Sequence, residues 1–176
     1  MRMLQTSYRV GVMLMVTMTL TTGCASDSTT HVYKRPATPL RTYRTLGVEI
    51  SSTVDAAGDV VEQLEKAIIG PLRERQLFAH VSSAATSTDQ AYDLKLAVVV
   101  TALRRVGIAD RLQSGALAGR GTVDADISLI DGKSQETLAK AKATGQTSVD
   151  LLFSGTTLQA VRRVAEEVVA FVAQHY

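Results

Sequence analysis

Hydrophobic and polar residues alternate in four stretches of the chain, and a period of two is typical of strands with one buried face. These stretches are residues 46–50, 92–100, 123–129 and 139–143. A fifth, shorter strand is predicted between a helical segment and a loop rich in Ser, Thr and Ala. It comprises Phe78, Ala79, His80 and Val81. We therefore expect a single sheet whose apolar face is covered.

The first of two predicted helices follows the first strand. Its apolar residues recur at helical spacing in one stripe, formed by Val61, Leu64, Ile68 and Leu72. Asp59 followed by Glu62 has the spacing of a capping box. Pro71 lacks a backbone donor and crowds the carbonyl of Ala67, so we expect a kink or a break near Ile69.

The second predicted helix ends the chain and should lie on the sheet. Thr156 and Gln159 have the spacing of its capping box. The expected buried stripe consists of Leu158, Val161, Ala165, Val168 and Val172. The outer face has two i,i+4 ion pairs worth about 0.2–0.5 kcal/mol each, namely Arg162 with Glu166 and Arg163 with Glu167.

The order strand, helix, four strands and helix predicts one α+β domain over residues 43–176. We expect a four- to five-stranded, mostly antiparallel sheet, in the chain order β-α-β-β-β-β-α, covered by two helices. Length supports a single domain, because chains near 150 residues bury roughly 68–70% of their unfolded surface.

The connection at Asp131-Gly132 should not be a two-residue hairpin, because that turn would pair the core residue Ile127 with the charged Glu136. A loop of three or five residues instead places Ile127 opposite Thr137 or Ala139. The same loops place Asp124 opposite Lys142 or Lys140.

The amino-terminal segment has the pattern of a secretory signal peptide. Arg2 and Arg9 precede an apolar run at residues 10–20, which matches the usual hydrophobic-region length of about 7–15 residues and is shorter than the roughly 20 residues of a membrane span. A box of small residues then leads to a cysteine: Leu20, Thr21, Thr22, Gly23 and Cys24.

This box predicts that residues 1–23 are removed and that Cys24 is lipidated, as in bacterial lipoproteins. Thr21 departs from the Leu that the pattern favours three positions before the cysteine. The alternative is an ordinary signal peptide cut after Ala25, which leaves a soluble periplasmic protein. Ala25 also replaces the Asp that retains lipoproteins in the inner membrane, so we expect the outer membrane.

Residues 24–42 are predicted to comprise the lipidated cysteine and a flexible tether. The stretch is rich in Ser, Thr and Pro and shows no apolar period. Its basic residues outnumber the single Asp27, and between 34 and 44 they are Lys34, Arg35, Arg41 and Arg44. Two interpretations stay open, attraction to an anionic membrane surface and a linker whose charges are only solvated.

The charge balance argues against nucleic acid as a partner. The chain has 19 basic and 17 acidic residues, and removal of Arg2 and Arg9 leaves 17 of each and no net charge. Nucleic-acid affinity depends on a positive field that such a domain lacks. Cys24 is the only cysteine, so an internal disulfide is excluded.

The sequence contains no strong catalytic, metal or cofactor motif. His31, His80 and His175 have no carboxylate or thiol at ligand spacing. The glycine-rich stretch at 115–121 leads into a strand and lacks the lysine of a phosphate loop, so a bulge or close backbone approach is favoured. We predict neither a metal nor a cofactor, and no nucleophile stands out.

Asp124 and Asp126 share one strand face and resemble an acid–base pair. Lys140 and Lys142 on the next strand offer a simpler cross-strand partnership. A non-enzymatic protein is therefore the leading expectation.

Several loose motifs resemble a family of bacterial lipoproteins known only as a domain of unknown function. They are Leu77-Phe78-x-x-Val81, Gly119-Arg120-Gly121 entering a strand that ends at Asp131-Gly132, and the terminal helix. The resemblance covers residues 45–173. It implies a fold similar to the amino-terminal domain of TolB and to the envelope lipoproteins CsgG and LpoB, which mainly bind proteins.

The leading hypothesis is an outer-membrane lipoprotein without enzymatic activity, anchored through lipid on Cys24, that docks another envelope protein in envelope assembly or maintenance. The sheet edge at Phe78, Ala79, His80 and Val81 is the expected docking site, because an unpaired edge offers backbone donors and acceptors. A small-ligand-binding periplasmic domain and a hydrolase with an unrecognised site are the alternatives.

Overall fold

The computed structural model describes residues 28–55, 57–85, 92–106, 120–147 and 157–176. These ranges contain two helices, α1 at Gly58–Glu74 and α2 at Thr157–His175. A 3₁₀ turn covers Leu40–Thr42. The strands are β1 Ser28–Lys34, β2 Thr45–Ser52, β3 His80–Ser83, β4 Leu94–Arg104, β5 Thr122–Asp131 and β6 Thr137–Gln146.

The six strands form one mixed sheet in the order β1-β6-β5-β4-β2-β3. β2 pairs in parallel with β3 and β4, whereas β4, β5, β6 and β1 pair antiparallel. The single-domain α+β prediction is confirmed, and the sheet has six strands where four to five were predicted. The parallel β2–β3 pair arises because α1 carries the chain from β2 across to β3, as crossover connections do.

The core lies between one face of the sheet and the two helices, which also contact each other. Along β4 buried and half-buried residues alternate from Leu94 to Val100, as the period of two predicts. The residues on the other face are half-buried or exposed and include cross-strand ion pairs, such as Lys142 Nζ to Asp124 Oδ2 at 2.9 Å. The predicted cross-strand partnership between β5 and β6 is confirmed for Asp124 and Lys142.

The prediction of a flexible tether up to Thr42 is wrong from Ser28 onward. Residues 28–34 form the edge strand β1, which pairs with β6 and is held by α2. Ser28 Oγ and Thr30 Oγ1 donate to the two carboxylate oxygens of Glu167 at 2.7 and 2.5 Å. Leu40 is fully buried. Residues of the predicted tether from Ser28 onward therefore belong to the folded domain.

The β5–β6 connection has the five-residue loop that was one of the two expected lengths. Ile127 lies opposite Ala141 and not Glu136, so the exclusion of a two-residue turn is confirmed. The partner predicted for Ile127 is wrong by at least two residues, and Asp124 lies opposite Thr144. An irregularity between Leu129 and Ile130 shifts the register.

Both helices depart from their predicted details. α1 begins without a side-chain cap, and it continues through Pro71 to Glu74, because a proline in the last turn removes a single helical hydrogen bond. In α2 the side chain of Leu158 is 42% exposed, so it is not part of the buried stripe. Thr156 lies outside the described residues.

Ion pairing at the surface also differs from the prediction. Arg163 binds Glu166 at 3.1 Å, and Glu167 holds β1 instead. Asp59, expected to cap α1, forms two hydrogen bonds with the guanidinium of Arg105, at 2.6 and 2.9 Å.

Candidate functional site

A cleft of about 880 Å³ opens at the corner of the sheet where β2 and β3 begin. Its walls come from the segment before β2, from the end of α1, from the approach to β3 and from the last residue of the chain. The lining residues are Arg41, Tyr43, Arg44, Arg73, Gln76, Leu77, Phe78, Ala79, His80, Val81, Ser82 and Tyr176. All four residues of the predicted docking edge belong to this cleft.

The predicted docking strand lies at the edge of the sheet, but two residues later than expected. β3 covers His80–Ser83, whereas Phe78 and Ala79 form the bend before it. The side chains of Phe78 and Val81 are buried, and Ala79 and His80 are exposed. The strand starts late because the backbone N–H groups of Ala79 and His80 both donate to the Arg44 carbonyl, at 2.8 and 3.3 Å.

The outward backbone groups of β3 are partly occupied by side chains. The backbone N–H groups of Ala79, His80 and Ala84 point to β2. The backbone N–H and C=O groups of Val81 and Ser83 therefore point outward, as alternation along a strand requires. Arg73 Nε donates to the Val81 carbonyl at 2.8 Å. The Tyr92 hydroxyl donates to the Ser83 carbonyl at 3.2 Å. Strand addition at this edge therefore meets carbonyls that already have donors.

Tyr92 reaches β3 by crossing β2 at a glycine. A Cβ atom on Gly47 would lie 2.4 Å from Tyr92 Cδ2, so only glycine leaves room for the ring. The Tyr92 hydroxyl also accepts a hydrogen bond from Ser82 Oγ at 3.1 Å. The side chain thus joins the start of β4 to the edge strand and stabilises the back of the cleft.

Aromatic side chains form one wall of the cleft. The rings of Phe78 and Tyr176 meet edge to face, with centroids 5.2 Å apart. The Tyr43 hydroxyl donates to Asp131 Oδ2 at 2.9 Å, and burial together with this carboxylate raises the pKa of Tyr43. The Ser134 backbone N–H and the Tyr43 hydroxyl lower the pKa of Asp131 to about 2.

The charged side chains that line the cleft are cationic. Arg41, Arg44 and Arg73 line it together with His80, and no carboxylate side chain is among the lining residues. Within the described part of the chain, none of the three guanidinium groups forms an ion pair. Asp93 lies close to Arg44, but its carboxylate accepts from the backbone amides of Arg44 and Thr45, each at 3.2 Å.

The three arginines were not predicted as site residues. Arg41 and Arg44 belong to the basic stretch before β2, and that excess of positive charge was the available signal. Arg73 lies on α1 and has no sequence feature that connects it to them. The parallel pairing of β2 with β3 brings the end of α1 to the same corner of the sheet.

A second cleft, of about 390 Å³, shares Arg41 and Tyr176 with the first. It runs along the proline-containing segment before the 3₁₀ turn, and its other lining residues are Pro36, Ala37, Thr38, Pro39, Gln174 and His175. The two clefts together form a groove around the carboxyl end of α2.

The other sequence-predicted sites are distributed as follows. Cys24 and its box, Leu20 to Gly23, lie outside the described residues, as does most of the glycine-rich stretch. Its last residue, Gly121, exchanges hydrogen bonds of 3.0 Å with the buried Thr147, the close backbone approach that was favoured there. Among the described residues, no group of three His, Cys, Asp or Glu side chains could hold a metal ion.

In the described ranges, neither helix combines the length and the apolar character that crossing a bilayer requires.

The fold and the cleft define the class of protein: a mixed-sheet α+β domain with two helices on one face and a cationic groove at one corner. The family model described as "Domain of unknown function (DUF4410)" matches residues 35–149, and the chain belongs to this family. No curated protein matches the chain.

Solved structures with low sequence identity share the fold. PelC from Paraburkholderia phytofirmans, a dodecamer, is 20% identical, with 80% of this chain and 96% of that chain covered and a TM-score of 0.57. XCC0632 from Xanthomonas campestris, of family DUF330, is 16% identical, with 80% and 91% covered and a TM-score of 0.50.

Lipoprotein GNA1162 from Neisseria meningitidis is 15% identical, with 74% and 99% covered and a TM-score of 0.46. The expected similarity to TolB, CsgG and LpoB stays a prediction.

Proposed function

We propose that the chain is an outer-membrane lipoprotein without enzymatic activity, and that it serves envelope assembly or maintenance by binding another envelope protein. The observation that carries this proposal is the groove at the corner of the sheet, where exposed guanidinium groups stand beside an aromatic wall. Arginine and aromatic residues are enriched at protein interfaces.

Lipid attachment is supported by the agreement of charge, apolar length and small residues before Cys24. A single acyl chain binds a membrane only marginally, so stable anchoring requires two, and the lipidated cysteine of bacterial lipoproteins carries a diacylglycerol. Radiolabelled palmitate should enter the wild-type protein and not Cys24→Ala. Equal labelling of both, or a mature amino terminus at Ser26, would refute lipidation.

The absence of enzymatic activity is supported by the pairing of the candidate acid–base residues. The Asp124 carboxylate binds Lys142 on the next strand and raises the pKa of this lysine. Asp124 thus has a cross-strand partner of the kind that stabilises sheets.

Photo-crosslinking in cells tests the docking site. A photoreactive residue at Ala79, which is exposed in the cleft, should crosslink to another envelope protein. The same residue at Gln63, exposed on the opposite end of α1, is the matched control and should give no such product. A product at twice the chain mass would identify a second copy, a relevant outcome because PelC is a dodecamer.

Equal products from both positions, or none from Ala79, would contradict docking at the cleft. A small ligand is the second candidate, because ligand sites commonly enclose about 300–1,000 Å³ and the cleft falls in that range. Thermal stabilisation of the purified protein by a periplasmic extract passed through a small-pore filter would favour this candidate.

A further inference from the structure

We infer that the groove recognises carboxylate groups, and that its occupant is an extended acidic segment of the partner protein, bound by Arg41, Arg44 and Arg73. This inference rests on the proposed function and adds the chemistry of the partner. Arginine binds carboxylates with two parallel hydrogen bonds, so three guanidinium groups match a segment that presents several Asp or Glu side chains.

Charge is the first argument. Three arginines and a histidine lie on one cleft, and the described part of the chain supplies none of these arginines with a carboxylate partner. Some surface charges elsewhere are paired, as Arg105 with Asp59 and Lys142 with Asp124 show. A cleft lined by side chains of one sign of charge favours an occupant of the opposite sign, here an anionic one.

Orientation is the second argument. The Nε of Arg73 is held by the Val81 carbonyl at 2.8 Å, which fixes the position of its guanidinium at the rim of the cleft. The same contact covers a carbonyl that an added strand would need. Side-chain recognition is therefore better supported here than backbone pairing.

Shape is the third argument. The two clefts share Arg41 and Tyr176 and continue from the edge of β3 to the proline-containing segment. Together they exceed what a single carboxylate or phosphate ion fills, since a water-sized molecule occupies about 30 Å³. The edge-to-face pair of Phe78 and Tyr176 lines the middle of this path and suits the aliphatic stems of Glu side chains.

The position of the groove favours a protein over the membrane that anchors the domain. Ser28 lies at one corner of the sheet, and the cleft lies at the diagonal corner. Five strand spacings of about 4.8 Å and eight residues of about 3.3 Å separate them by roughly 35 Å. The four residue steps from Cys24 to Ser28 span at most about 14 Å.

Fluorescence anisotropy of the full-length lipidated protein in detergent tests this inference. The probe is a labelled ten-residue peptide of alternating Glu and Ser, and a Gln-for-Glu peptide is its neutral control. The variant Arg41→Gln/Arg44→Gln/Arg73→Gln should bind the Glu peptide at least about tenfold more weakly, because each exposed ion pair contributes a factor of about two to five.

A matched triple variant removes the same charge elsewhere. Arg104→Gln/Arg120→Gln/Arg162→Gln changes arginines that do not line the groove, and its affinity should stay within about twofold of wild type. The double variant Arg41→Gln/Arg44→Gln leaves the Arg73 contact with β3 intact, and it should lose about fourfold or more even if the triple variant is unstable.

Three outcomes would overturn the inference: equal binding of the Glu and Gln peptides, equal losses in both triple variants, or arginine-dependent binding of anionic phosphatidylglycerol vesicles without binding of the Glu peptide. Failure of the proposed function is distinguishable. Crosslinks from Ala79 that survive in the variant Arg41→Gln/Arg44→Gln/Arg73→Gln would support protein docking and refute carboxylate recognition. The absence of any crosslinked protein would refute docking itself.

Discussion

Gly145 of β6 packs against the first turns of α2, and replacing it by alanine should displace the helix away from the sheet. A Cβ atom at this position would lie 2.3 Å from the Ala160 carbonyl oxygen, 2.9 Å from Val164 Cγ2 and 3.1 Å from Val164 N. Two of these atoms belong to the helix backbone and cannot rotate away. The helix would have to retreat by about 1 Å to restore an ordinary contact.

This displacement sets the expected loss of stability. Overpacking a well-filled core costs about 1–3 kcal/mol, and the retreat of α2 also loosens the buried side chains that it shares with the sheet. We expect Gly145→Ala to lower the free energy of unfolding by about 2–3 kcal/mol. For a domain of this size the melting temperature should fall by about 4–12 °C.

Urea unfolding followed by circular dichroism measures the effect, with Gly58→Ala as the matched control. No atom lies within 4 Å of a Cβ at Gly58, which is the first residue of α1. Alanine there should stabilise by about 0.4–1 kcal/mol through the unfolded chain. A Gly145→Ala protein as stable as wild type, or changes of the same sign in both variants, would show that α2 does not lie this close to β6.

Three further changes have defined outcomes. The pKa of Asp131 is lowered to about 2. The contribution of this carboxylate to stability is therefore complete above about pH 4, where an unfolded Asp is ionised, and is lost as the pH falls toward 2. Asp131→Asn should flatten this part of an acid-unfolding curve. Gly47→Ala should displace the Tyr92 ring and cost about 1–3 kcal/mol in urea unfolding through two lost hydrogen bonds. Glu167→Gln keeps one acceptor oxygen for the hydroxyl donors of Ser28 and Thr30. Limited proteolysis should therefore cut within β1 sooner than in the wild-type protein. Unchanged cleavage would show that this contact does not hold the strand.

Hydrophobic periodicity predicted the strands and helices whose own residues show which face is buried. β4, β5 and β6 bury one face and leave the other half-buried or exposed, and that alternation is visible along the chain. The helical stripe of α1 was likewise correct in three of its four residues, because Leu64, Ile68 and Leu72 are fully buried. Val61 is replaced by its neighbour Val60 in the core.

Periodicity missed β1 because this strand has no apolar face to display. Its contacts are polar, from Ser28 and Thr30 to Glu167, and its partner strand is more than 100 residues away. Prolines after it strengthened the appearance of a linker. An edge strand held by one carboxylate leaves little trace in a hydrophobicity pattern.

The groove was predictable only in part. The edge position of the strand near Val81 followed from its shortness and from the helix before it. The meeting of Arg41, Arg44 and Arg73 depends on tertiary structure, since parallel pairing of β2 and β3 brings together segments about 30 residues apart. No local pattern encodes that meeting.

The late partner of β1 has a consequence for the order of folding. Ser28 pairs with Gly145, and its hydroxyl donates a hydrogen bond to Glu167 of the last helix. Chains are synthesised amino terminus first, so this strand is available from the start and completes its contacts last. Loop closure over more than 100 residues is slow relative to local pairing. The edge of the sheet at β1 therefore closes only after the last helix has been made.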